Sequence, residues 1–152
     1  MSRKRAGPVR LAEKCLYSYN ENLARLDVLR KDLKVLRVTS SVQAQRYDAV
    51  SAHGNGGHSD PVMARMLRIE GMERLISWLE RRTLPIQRMV ADLEGPDVLP
   101  NSPKADLLKV LRLLYFGNNL LSQVADEMKV SRQFVHNKRE ELRKMAISYL
   151  GI

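Results

Sequence analysis

Arg132, Gln133, His136 and Asn137 fall at spacings that put all four on one face of a helix, over its first turns. The arginine fork offers planar paired donors, the two amides offer a donor beside an acceptor, and the imidazole offers one of each. These are the groups that meet base edges in the major groove of double-stranded DNA. No other group of residues in the chain is spaced for chemistry of its own. Paired carboxylates, a nucleophile beside a base, and a metal cluster are all missing from the sequence pattern, so an enzyme and a resident cofactor are not expected. The glycine-rich SAHGNGGHS near residue 55 lacks the following Gly-Lys-Ser/Thr of a nucleotide loop. His53 and His58 have no third ligand at useful spacing, so no metal is assigned to them.

Those four side chains need a scaffold, and the stretch Leu120–Leu142, LLSQVADEMKVSRQFVHNKREEL, reads as a helix-turn-helix. Val124, Ala125 and Met128 give the first helix an apolar face, with the small Ala125 where a second helix can approach closely. Val130 follows the turn and is sized to fill the space between the helices. Ser131 is an N-cap for the second helix, which buries Val135 and Leu142. Two positions depart from the usual pattern. Lys129 stands where a glycine would take a left-handed backbone without strain. Lys138 stands where a third apolar residue is usual, so its stem must lie along the core while its ammonium reaches water.

The chain has 152 residues, enough for one ordinary domain or two small ones joined by an extended element. Lys and Arg number 26 against 17 acids, a net charge of +9 that favours a polyanionic partner. The excess lies at the ends: residues 1–40 carry +6, residues 41–96 are neutral, and residues 97–152 carry +3. With Cys15 the only cysteine, neither an intramolecular disulfide nor a cysteine zinc site can form. Charges interrupt every apolar run, so no membrane span is expected, and MSRKRAGP lacks the apolar core of a signal peptide. A cytoplasmic protein is the expectation. Few aromatics and no alternating runs leave strands without support, and the class is all-α.

Upstream, a helix is expected over about Val9–Val38, with an apolar stripe of Leu16, Tyr19, Leu23, Leu26, Leu33 and Leu36. Asp60-Pro61 starts a second helix reaching about Leu93, striped by Met66, Ile69, Met72, Ile76 and Leu79 and widened by Leu75 and Trp78. Pro85 predicts a kink or break near Arg82–Leu84, after which Ile86, Met89, Val90 and Leu93 resume the pattern. The two helices pair as a long antiparallel hairpin, closed on itself or completed by a second copy of the chain. Residues 39–59 read as a loop. GPDVLPNS, residues 95–102, reads as a linker, and Ser102-Pro103 starts a supporting helix that runs to about Phe116 and stops at Gly117. Leu107, Leu108, Leu111 and Leu114 are its expected core. The domains are therefore residues 1–94, a helical hairpin for oligomerisation or partner binding, and 103–152, a tri-helical DNA-binding module. Beyond Leu142, Met145, Ala146, Tyr149 and Leu150 continue the last helix's apolar face.

The stretch VLRLLYFGNNLLSQVADEMKVSRQFVHNKREELRK resembles region 4 of bacterial sigma factors and the related domains of small phage regulators. The long leucine-spaced first helix, YDAVSAHGNGGHSDP, and the helix ending RLISWLERR are similar to phage late-gene transcriptional activators of the RinA and ArpU type. The resemblance implies a sequence-specific activator of late packaging and lysis genes that acts with host RNA polymerase. It assigns base reading to Arg132, Gln133, His136 and Asn137, and phosphate contacts to Ser122, Ser131, Lys138 and Arg139. Two other readings fit the pattern: a DNA-recognition subunit of a phage packaging machine, and a helical module that binds a partner protein.

Overall fold

The computed structural model describes the backbone of residues 3–50 and 60–152, and the side chains of residues 7–39 and 60–152. The described residues are helical, with no strand among them. In chain order the helices are α1 (Arg3–Val50), α2 (Pro61–Leu93), α3 (Pro103–Val110), α4 (Leu121–Met128) and α5 (Arg132–Leu150). A π-helical segment, Leu111–Phe116, follows directly on α3.

Helix α1 starts before the expected Val9 and continues past Val38 to Val50. Residues 39–50, expected as loop, contain neither glycine nor proline, so polarity alone was no reason for the helix to stop. The rest of that expected loop, with His53 and His58, lies outside the described residues.

Helix α2 begins as expected. Asp60 accepts the Val62 N–H on its carboxylate at 3.0 Å and the Ala64 N–H on its carbonyl at 3.0 Å. Of the kink or break expected near Arg82–Leu84, the break is not found, and α2 runs through Pro85 to Leu93. Proline removes one hydrogen bond, but Ile86, Met89 and Leu93 on its far side are almost wholly buried. Their burial, at roughly 1.5–3 kcal/mol each, outweighs the proline's cost of about 3 kcal/mol.

The chain divides into two compact units, Leu23–Glu80 and a larger one made of Met1–Asn22 with Arg81–Ile152. The division is not at the linker 95–102. The first part of α1 and the last part of α2 share the core of the C-terminal helices.

In the smaller unit, α1 and α2 lie antiparallel. Arg30 pairs with Glu80 at 2.8 Å and Arg37 with Glu73 at 2.6 Å, so numbers rise on one helix as they fall on the other. Leu26, Leu33, Ile76 and Leu79 are buried between them, with Leu29, Ile69, Met72 and Leu75 packed around. Met66, expected in this stripe, is 54% exposed. It sits one turn before Ile69, which is half-buried.

In the larger unit the core takes Ala12, Cys15, Leu16 and Tyr19 from α1, and Ile86, Met89 and Leu93 from α2. Leu107, Val110, Leu111, Leu114 and Tyr115 come from α3 and the π segment; Val124, Ala125, Val135, Leu142 and Ala146 come from α4 and α5. Tyr17 meets Tyr115 edge-on at 4.7 Å between ring centres, and Tyr19 stacks on Phe116 at 5.1 Å. Ser102 caps α3 by accepting the Ala105 N–H at 3.2 Å, as its place before Pro103 predicts. Val110 takes the buried position expected of Leu108, which is only half-buried.

Candidate nucleic-acid interface

Helix α4, a short turn and α5 build the surface that carries the four base-reading candidates. At the start of α4, Gln123 Oε1 accepts the Leu120 N–H at 2.9 Å, satisfying a donor that has no partner inside the helix. The start is positioned by what precedes it. Gly117 ends the π segment at φ −85°, so it does not supply a left-handed residue; Asn118 does, at φ 53°. Glycine is needed at 117 for closeness instead, because a Cβ there would stand 2.9 Å from the Leu113 carbonyl oxygen. Asn119 then returns to that same carbonyl, its side-chain amide donating at 2.8 Å.

The turn after α4 depends on Lys129, which takes φ 57° and ψ 46°. This is the left-handed position that the sequence pattern reserves for glycine. With it the Val130 N–H folds back to the Ala125 carbonyl at 3.0 Å, and Val130 is drawn inward. Ser131 follows in extended conformation and accepts the Phe134 N–H on Oγ at 3.0 Å. Such a cap stabilises the helix by about 1 kcal/mol. Its hydroxyl hydrogen remains free to donate to an oxygen outside the chain.

Val135 and Leu142 are fully buried, which fixes the roll of α5. Arg132, Gln133, His136 and Asn137 are then all exposed on its outer face. Gln133 donates to Asn137 Oδ1 at 2.9 Å, so the two amides hold each other one turn apart and present a paired donor–acceptor edge. Arg132 and His136 have no side-chain partner among the described residues.

The four phosphate candidates separate. Ser131 is exposed and Ser122 half-buried at the start of α4. Lys138 keeps only 14% of its side chain exposed; its ammonium lies 5.4 Å above the Phe134 ring and 3.8 Å from Glu141. Its stem covers the core as its position requires.

Arg139 faces inward, where Glu13 of α1 takes it. Glu13 Oε1 accepts from the Tyr115 hydroxyl at 3.1 Å, Arg139 Nη2 at 3.1 Å and Arg143 Nε at 2.6 Å. Arg143 also donates to Glu140. Burial pushes the Glu13 carboxyl up, but hydrogen bonds and charge from Arg143 and Arg139 outweigh it and hold its pKa below the ordinary value. Tyr115 is pushed up to about 12, by burial first and then by the Glu13 charge. The tyrosine therefore stays protonated and donates. This cluster anchors the middle of α5, two turns beyond Arg132 and His136, while Val135 and Leu142 hold the side facing away from the exposed set. The four-residue spacing of Arg139 and Arg143 signals a shared acid, but Glu13 lies more than a hundred positions away and no local pattern points to it.

Elsewhere in the larger unit, burial pushes the Cys15 thiol up and keeps it protonated and unreactive. Among the described residues, no group of three His, Cys, Asp or Glu is placed to hold a metal ion. No helix among them is long and apolar enough to cross a membrane. The chain matches no protein-family model, no curated protein and no solved structure.

Proposed function

We propose that this chain is a sequence-specific double-stranded-DNA-binding regulator, in which α4, the turn and α5 work as a helix-turn-helix. The observation that carries the reading is the set Arg132, Gln133, His136 and Asn137, exposed together on the first turns of α5. The opposite face of that helix is held by Val135 and Leu142, and the Glu13 cluster ties down its middle turns. A rigidly seated helix with donors and acceptors on its free face suits the major groove, where readout needs fixed side-chain positions.

Phosphate contacts fall to Ser131, Ser122 and the exposed Lys129 at the turn, because Arg139 is engaged with Glu13 and Lys138 lies largely covered beside Phe134 and Glu141. The net charge of +9 supplies the sequence-independent attraction. In this reading the tri-helical module is joined to a long antiparallel helical hairpin. The resemblance to phage late-gene activators adds the biological setting, activation of late genes together with host RNA polymerase.

The test is Arg132→Ala, assayed on a selected site and on random DNA. A base-reading fork predicts a loss of about 1–3 kcal/mol on the selected site and little on random sequence. Equal losses on both would make Arg132 a phosphate contact and remove the basis for base reading.

A further inference from the structure

We propose that the outer face of α1 between Ala24 and Val38 pairs two copies of this chain as an antiparallel, two-fold helical seam. The inference lies wholly in the smaller unit and goes beyond DNA reading, on which it does not depend.

The observation is a second stripe on α1. Residues 24, 28, 31, 35 and 38 alternate steps of four and three, the spacing of coiled-coil seam positions. They are Ala24, Val28, Lys31, Val35 and Val38. At about 100° per residue this stripe lies roughly 160° around the helix from Leu26, Leu29, Leu33 and Leu36, which pack against α2. Val28, Val35 and Val38 are 55%, 64% and 60% exposed. The three valines at seam spacing stay mostly exposed outside the buried strip, although Val35 also borders a groove with Arg68 and Met72 of α2. β-Branched residues at alternate seam positions suit a two-stranded pair. The one polar seam residue, Lys31, turns its ammonium to Asp27 at the edge, 2.9 Å away, and leaves its stem along the stripe.

Charges beside the stripe choose the partner and its direction. The flanking positions are Arg25, Asp27, Asp32 and Lys34. A parallel pair in register would set Asp27 against Asp32 of the other copy, acid against acid. An antiparallel pair centred between residues 28 and 31 layers Val28 on Lys31 and Ala24 on Val35 of the other copy, leaves Val38 beside Glu21 at the end of the seam, and sets Asp27 against Lys34 and Arg25 against Asp32, each twice by symmetry. Moving that pair one heptad either way brings like charges together, Lys34 on Lys34 with Asp32 on Asp32, or Asp27 on Asp27 with Arg25 on Arg25. Only one direction and one register match every flanking charge, and the match is to a second copy of the same helix.

The experiment is sedimentation equilibrium of the full chain and three variants across a micromolar concentration range, with helical circular dichroism as the folding control. The wild type is expected to sediment as a dimer. Val35→Glu and Asp27→Lys are each expected to give monomers of unchanged helicity, and Asp27→Lys combined with Lys34→Asp to restore the dimer. A monomeric wild type would overturn the proposal. So would a dimer that survives both single variants, or one lost instead on Leu67→Glu, which would put the contact on α2. A monomer that still selects one DNA site would leave the DNA reading intact, and a dimer without DNA selectivity would do the reverse.

Discussion

The two units of this chain close their apolar residues to different degrees. In the larger one, segments of five helices contribute, and Leu16, Ile86, Met89, Leu111, Val124, Val135 and Leu142 are all essentially inaccessible. In the smaller one, the described residues of two helices share a strip of four buried residues, while Val28, Val35, Met63, Met66 and Leu67 stay exposed. A pair of helices has one seam, and apolar surface away from it finds no cover among the described residues of the unit. The base-reading candidates stand on the fully enclosed unit, where side-chain positions are fixed. The half-open unit offers surface for association.

The largest effect that sharpens this contrast is loss of a side chain from the closed core. Leu142→Ala is expected to cost about 2–5 kcal/mol, and Met66→Ala within about 0.5 kcal/mol, in denaturant unfolding. Similar losses at both positions would mean that Met66 is covered in solution and the units are not so different.

Next is the anchor under α5. Glu13→Gln leaves Arg139 without its acid and Arg143 with Glu140 alone, and is expected to cost about 2 kcal/mol, between exposed and fully buried ion pairs. Because the folded state lowers the Glu13 pKa, its contribution is present at neutral pH and is lost as pH falls through the acid range below about 4.3. The wild type should therefore lose its advantage over Glu13→Gln on acidification. A constant difference from neutral pH to acid would show that Glu13 acts through shape and not through charge.

The smallest effect concerns the turn. A lysine in the left-handed region carries about 1–2 kcal/mol of strain, part of which glycine's greater freedom in the unfolded chain offsets. Lys129→Gly is expected to raise the melting temperature modestly, and to weaken binding to random DNA if its ammonium meets phosphate. A fall in melting temperature would contradict the left-handed turn.

Features written in local chemistry were legible in the sequence. Asp60-Pro61 and Ser102-Pro103 start helices where the residue types say they should. Lys129 adopts the left-handed backbone, Ser131 caps α5, and Arg132, Gln133, His136 and Asn137 are exposed. Features decided by tertiary packing were not legible. Pro85 looks like a break until the burial of Ile86 and Met89 beyond it is known. Residues 39–50 looked like loop because they are polar, although no breaker stands among them. Arg139 looked available to phosphate because its partner, Glu13, sits at the other end of the chain. The widening of the helix at Leu111–Phe116, where the Gly117 N–H reaches back five residues to Arg112 at 2.7 Å, has no signature in residue spacing at all.

The central claim is that the exposed face of α5 reads DNA sequence. Its most direct test is selection from a random-sequence DNA library, followed by salt titration of binding to the winning site and to unselected DNA. The account predicts enrichment of one site, with preference for it surviving at physiological salt while binding to random DNA falls away. Binding that enriches no sequence and vanishes equally from both DNAs as salt rises would contradict it.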